Sequence, residues 1–225
     1  MSGAKINIIT ALFAAILSAL TAGCEVVGNL ATERESEKSI PAEFKLARTE
    51  GKIAVVAIMP GWIKTPIDLR VTLTDAINLT LEKKAGIDKA KLTEYADVMK
   101  ARAVLSEDKK DIAFEIAGKL GAKYVLVVQI TDFDLSTFAE KDFYNGTMQT
   151  KSCLFDSNGT KLWPMGEEGS RDITVGIEAE KGIVKTAVEK LSMATAHCIT
   201  RYFYNCNTAR FRIAEEQKKY DYYTW

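Results

Sequence analysis

The chain has few of the residues from which reactive sites are built. One histidine and four cysteines serve 225 residues, so a metal centre of several imidazoles is excluded, and a Ser-His triad or zinc hydrolase would rest on His197 alone. His197 falls inside a helical pattern and is read as structural. No phosphate-binding G-x-x-x-x-G-K-[ST] loop occurs, and no G-x-S-x-G nucleophile elbow. Gly118-Lys119-Leu120-Gly121 is a helix ending and not a nucleotide cradle. Charge of one sign is missing too. Thirty basic residues balance thirty acidic ones, leaving no net field to gather nucleic acid, which is not expected as a partner. No enzyme activity and no cofactor are expected, and metal ligands are assigned to no residue.

Long apolar runs are confined to the start. Residues 1–5 carry one lysine, and residues 6–20 are almost wholly apolar, the n-region and h-region of an export signal. Leu20-Thr21-Ala22-Gly23-Cys24 follows and resembles the lipobox of bacterial lipoproteins, with Thr21 standing where leucine is usual and Leu20 one place further out. The resemblance implies cleavage before Cys24, lipid on its thiol, and residues 1–23 removed as a signal peptide. Two other readings stay open: an uncleaved membrane anchor, since residues 8–27 reach the ~20 apolar residues a span needs, and plain secretion with Cys24 left as a thiol. Glu25 is not the aspartate that marks inner-membrane retention, which favours the outer membrane, facing the periplasm. Residues 24–43 are rich in Glu, Arg, Lys, Ser and Asn, too polar to offset chain entropy by burial, and are read as a tether.

The body is read as one α/β domain over residues 44–208. Ile53-Ala54-Val55-Val56-Ala57-Ile58-Met59 is a β-branched apolar run, a strand covered on both faces. Leu69, Leu73, Ala76, Ile77, Thr80 and Leu81 recur at helical spacing behind the cap residue Asp68. Further helices are expected over residues 92–103 and from about 108 to 120, the latter closed by Gly121. Strand residues 123–135 begin apolar on both faces and then alternate. Strand, helices, strand is a parallel pair with a right-handed crossover. Hairpin grammar follows: residues 144–155, the turn Asp156-Ser157-Asn158-Gly159, and a return over 160–163. Asn145-Gly146 is a second turn or bulge candidate. Residues 170–177 form a further strand, and a long helix is expected from about 178 to 204. Residues 209–225 are read as a tail with terminal aromatics, either a plain packed end or a docking element.

The order of "KIAVVAIMP", a long helix, "IAGKLGAKYVLVVQITDF", "LFDSNGTKLWP" and a terminal helix resembles the α/β domain shared by CsgG, LpoB and the amino-terminal domain of TolB, over residues 52–204. The fold implied is a mixed sheet flanked by helices, with parallel crossover units, then an antiparallel hairpin and a long C-terminal helix. The function implied is that of an accessory part working by contact in the envelope. Residues 144–163 carry Asn145, Gln149, Lys151, Asp156 and Lys161, which breaks the lipid-facing alternation a membrane barrel strand requires, so secretion through this chain is not expected.

Asp132 and Asp134, near Glu140 and Asp142, are candidate ligand or cation residues, weighed against a solvated strand end. With Cys24 taken by lipid, Cys153, Cys198 and Cys206 remain. A bridge from Cys153 to either of the others is one candidate, small buried core cysteines the other. The leading expectation is a lipid-anchored protein, palmitate-bearing and partnered by an envelope complex or by its own copies. The alternative is a small-ligand or cell-wall-fragment binder working at the carboxyl ends of the parallel strands.

Overall fold

The computed structural model describes residues 39–65, 67–106, 108, 113–137, 143–166, 169–180, 182–208, 211 and 219–220. The fold is the expected mixed sheet flanked by helices. Strand β1 (Ser39–Ile40) is followed by β2 (Lys52–Ile58), helices α1 (Leu69–Ala85), α2 (Tyr95–Ala103) and α3 (Ala113–Leu120), then β3 (Ala122–Thr137), β4 (Phe143–Asp156), β5 (Lys161–Trp163), β6 (Arg171–Glu180), α4 (Val184–Thr200), β7 (Cys206–Asn207) and β8 (Lys219–Tyr220). The main sheet runs β2-β3-β4-β6-β8, with β5 paired to β4. Strands β2 and β3 are parallel, β3, β4 and β6 antiparallel. This is the crossover-then-hairpin order read from the pattern.

The helices divide between the two faces unequally. α1 and α4 cover one face, where Leu69, Leu73, Ile77 and Leu81 meet Val55, Leu126, Val128, Met148, Val175, Val188 and Leu191. α2 and α3 cover the other only over β2 and the start of β3, burying Ala54, Val56 and Val125 beneath Val98, Ile116 and Ala117. The sequence marks that limit. Apolar side chains on both faces run through Val125–Val128 and stop at Gln129, where the second layer ends.

A bulge then re-aims β3. Ile130 faces Thr150, but Asp132 faces Gln149, leaving Thr131 as the extra residue. In a regular pleat Asp132 would share the buried face of Ile130. The bulge turns Asp132 and Asp134 to solvent and packs Phe133 and Leu135 against the core.

Local chemistry ends the elements where expected. The Asp68 carboxylate caps α1, accepting from the Arg70 amide at 3.0 Å. Gly121 takes the left-handed conformation at φ 62. Asp156 accepts from the Asn158 and Thr160 amides at 2.9 and 2.8 Å, and Gly159 turns at φ 83.

Several boundaries differ. Asn145-Gly146 is neither turn nor bulge but mid-β4, because Gly146 is where α4 comes closest. A β-carbon there would lie 3.2 Å from Leu135, 3.3 Å from Leu191 and 3.4 Å from Ile177. The final helix starts at Val184 and not at 178, since 178–180 complete β6 against Phe143–Asn145. It ends at Thr200. The described fold also begins ahead of residue 44: Ser39 and Ile40 pair with Asn207 and Cys206, and Glu43 is clamped to the body. In the tail, Lys219 and Tyr220 pair with Gly176 and Ile177 of β6, so part of it is a sheet edge and not a loose end; residues 221–225 lie outside the described residues.

Candidate functional site

Among the described residues, the division of the helices leaves one surface of the sheet without a covering layer. Beyond the reach of α3, the face of β3, β4 and β6 turned away from α4 carries Asp132, Asp134, Thr147, Gln149, Lys151 and Thr174. It is flat and polar, as one face of an antiparallel sheet in water is expected to be. Lys151 and Asp172 approach across it at 3.9 Å, both well exposed.

Beside the first described turn of α3 this face becomes apolar. A cleft of about 360 Å³ is lined by Ile58, Ala113, Phe114, Val127, Phe155 and Gly159. The Phe114 ring stands half exposed at its lip, at 50%, although it sits on a helix whose neighbours Ala113, Ile116 and Ala117 are buried. An apolar groove beside a flat polar sheet has the composition of an interface core with a polar rim. Neither Phe114 nor Phe155 belongs to a motif. Phe114 was legible as the apolar residue off the Ile112–Ile116–Leu120 stripe; Phe155 was hidden, because strand alternation does not say which face lacks a helix.

Cys24 and Leu20, Thr21, Ala22 and Gly23 lie outside the described residues. Asp132 and Asp134 share the open face one residue apart, without a third ligand: among the described residues no group of three His, Cys, Asp or Glu is placed to hold a metal ion. Glu140 and Asp142 lie outside the described residues. The bulge turns Asp132 and Asp134 outward as exposed carboxylates on the second half of β3. Cys153 carries a free thiol, so the candidate bridge from it is not formed; the pleat places Cys153 on the open face while its neighbours Ser152 and Leu154 point to the core beneath α4. The Cys153 thiol donates to the Gly169 carbonyl at 3.1 Å, and burial holds its pKa above the ordinary thiol value. Cys198 and Cys206 are buried core residues. His197 is buried as well, with Nδ1 3.1 Å from the Tyr204 hydroxyl.

A cleft of about 460 Å³ lies between α1 and α2, with Asp75, Asn78, Glu94 and Tyr95 in its walls. Partial burial raises the Asp75 pKa, and the Glu94 charge adds to the effect. A raised carboxyl pKa means that ionisation costs the folded state. Stability from this group is full below the unfolded pKa and declines as pH rises through the folded one. Asp75→Asn should thus stabilise at pH 7, by about 0.5 kcal/mol or less because Asp75 is largely solvated, and should confer no gain near pH ~3. Paired urea titrations at the two pH values check this; an equal gain at both would remove the electrostatic cause.

These features define a class: a mixed α/β domain with one helix-covered face and one half-bare face. No family model matches the chain, and no curated protein does. Among solved structures it is similar to a dodecamer of a PelC variant from Paraburkholderia phytofirmans (14% identity, 74% of this chain and 97% of that one, TM-score 0.46). It is also similar to lipoprotein GNA1162 from Neisseria meningitidis (17%, 67% and 99%, TM-score 0.41) and to the C-terminal domain of LpoB from Salmonella enterica (19%, 58% and 87%, TM-score 0.31). LpoB is one of the proteins whose domain the sequence resembles. Among the described residues no helix is long and apolar enough to cross a membrane.

Proposed function

We propose that the chain is a lipid-anchored, periplasm-facing accessory protein of the bacterial envelope, acting by protein–protein contact without catalysis. The observation that carries the contact is the half-bare sheet with its apolar groove at Phe114. Phe114, Phe155, Val127 and Ile58 converge on one cleft, and an apolar groove bordered by polar sheet suits a protein partner, whose interfaces place polar residues beside an apolar core. The leader and Cys24 support the compartment and the anchor.

The two halves of the proposal are tested separately. For the anchor, intact-mass analysis of the native protein should show a chain starting at Cys24 and carrying acyl groups. Cys24→Ser should lose the acyl mass and leave the membrane fraction, since each buried methylene contributes about 0.8 kcal/mol to anchoring. An acyl-free native chain that starts at Met1 sinks this half. For the contact, a photo-crosslinking residue at Phe114 should trap one dominant envelope protein, or a second copy, in intact cells, whereas the same probe at Leu79 on α1 should not. Equal, diffuse labelling from both positions sinks the contact.

A further inference from the structure

The chain is neutral as a whole, but its charge is not evenly placed. At one end of the sheet, where β2 and β3 begin, lies a cleft of about 820 Å³ whose walls carry Lys52, Lys89, Lys100 and Lys119. Glu94 and Asp97 share the wall, and Asp97 is taken by Lys100 at 3.3 Å. Among the described residues Lys52, Lys89 and Lys119 form no ion pair, which leaves three exposed ammonium groups around one concavity. Thr93, in the same wall and 8% exposed, has a hydroxyl with no partner. Val104, on the lip, is 72% exposed. Lysines around an exposed aliphatic residue are the composition of a surface that rests on lipid headgroups. The opposite end of the sheet carries Asp132, Asp134 and Glu178, all exposed.

The basic end is also the end at which the chain enters the fold. Phe44 lies 6.4 Å from Tyr124, two residues into β3, Lys52 is opposite Ala122, and Glu43 bonds Trp163 and Arg171 at the same end. From Cys24 to Ser39 even a fully extended chain reaches at most ~50 Å. A lipid on Cys24 would hold this end, where the tether joins the body, within reach of the bilayer.

We infer that the lysine cleft is a binding site for the anionic headgroups of the membrane to which the protein is tethered, seating the body with its half-bare sheet held upright for a partner. The inference rests on the lipid-anchored reading above. Phosphate is the chemistry recognised. Each lysine brought to an anionic surface favours contact about fivefold at low salt, and the effect fades as salt screens it.

The test uses the full chain as recovered from its own membranes, placed in nanodiscs of phosphatidylcholine alone or mixed with phosphatidylglycerol, with lysine acetylation read by mass spectrometry. Lys52, Lys89 and Lys119 should be labelled at least fivefold more slowly in the anionic discs, with the difference gone at ~1 M salt. Lys64 and Lys185, at the opposite end, should react equally in both. A Lys52→Glu/Lys119→Glu variant should lose the protection of Lys89. Equal labelling at both ends in both discs overturns the inference, and so does equal protection by free inorganic phosphate without anionic lipid, which would mark a small-anion site. The Cys24 acyl mass is read from the same sample. Acylation without protection fails the headgroup site alone, whereas an acyl-free native chain removes the anchor reading and this inference with it.

Discussion

Trp163→Ala should lower the stability of the domain by about 3–5 kcal/mol, as truncation of a fully buried tryptophan does. Trp163 is 0% exposed, with ring centroids 5.3 Å from Tyr202 and 4.9 Å from Phe203. Its indole N–H donates to Glu43 at 2.7 Å, and the Arg171 guanidinium, itself bonded to Glu43 at 3.1 and 3.3 Å, sits 5.9 Å from the same ring. Alanine removes the packing and leaves Glu43 with Arg171 alone. Against a total stability of ~5–15 kcal/mol, the loss is about a fifth or more of what holds the fold. Trp163→Phe keeps most of the volume and loses the hydrogen bond, so it should cost about 1–3 kcal/mol. Urea unfolding followed by circular dichroism, with an unchanged dependence on denaturant, measures both. A loss under ~1 kcal/mol for alanine would show that the neighbours collapse onto the vacated space.

This cluster also shows where sequence reading stops. Its members are residues 43, 163, 171 and 202, brought together from β5, β6 and the segments after β1 and α4, and no local period relates them. Glu43 was placed in the tether because its neighbours are polar; its clamp is a tertiary contact that composition does not encode. The elements themselves were legible because each carries its own signal. β2 and the first half of β3 are apolar on both faces, α1 repeats at helical spacing behind Asp68, and Gly121 and Asp156–Gly159 supply the only conformations their turns accept. Gly146 misled because glycine serves equally for a turn and for close approach. Here the approach of Leu191 decides, and only the packed structure contains it.

The same limit applies to the candidate surface. Periodicity identified the apolar stripe of α3 and the alternation of β4, but whether Phe114 and Phe155 meet solvent or a covering layer depends on how far α2 and α3 extend across the sheet. The described parts of α2 and α3 cover the two parallel strands, and that reach is a property of the packed fold which no local period contains. The lysine cleft is equally a product of the fold. Lys52, Lys89 and Lys119 are far apart in sequence and meet only because β2, the turn before α2 and the end of α3 share one end of the sheet.

The second large effect is expected at Arg201, one residue beyond α4. It is 5% exposed, donates to the Phe211 carbonyl at 2.7 Å and to the Tyr202 hydroxyl at 3.0 Å, and lies 4.2 Å from the Phe211 ring centroid and 5.0 Å from that of Tyr202. The aromatic faces offset part of the cost of desolvating the guanidinium, and the side chain fixes Phe211 against the end of α4. Arg201→Ala should cost about 3–4 kcal/mol, through the lost volume and the Phe211 carbonyl left without its donor. Arg201→Met separates volume from charge. A buried cation replaced by an apolar side chain of similar size is often near neutral, so methionine should remain within about 1.5 kcal/mol of the native protein, the lost hydrogen bond being the main debit. Limited proteolysis adds a local readout, because the alanine variant should be cut after residue 205 well before global unfolding while the methionine variant resists. Should methionine destabilise as much as alanine, the cation itself and not its bulk would be what docks the C-terminal segment.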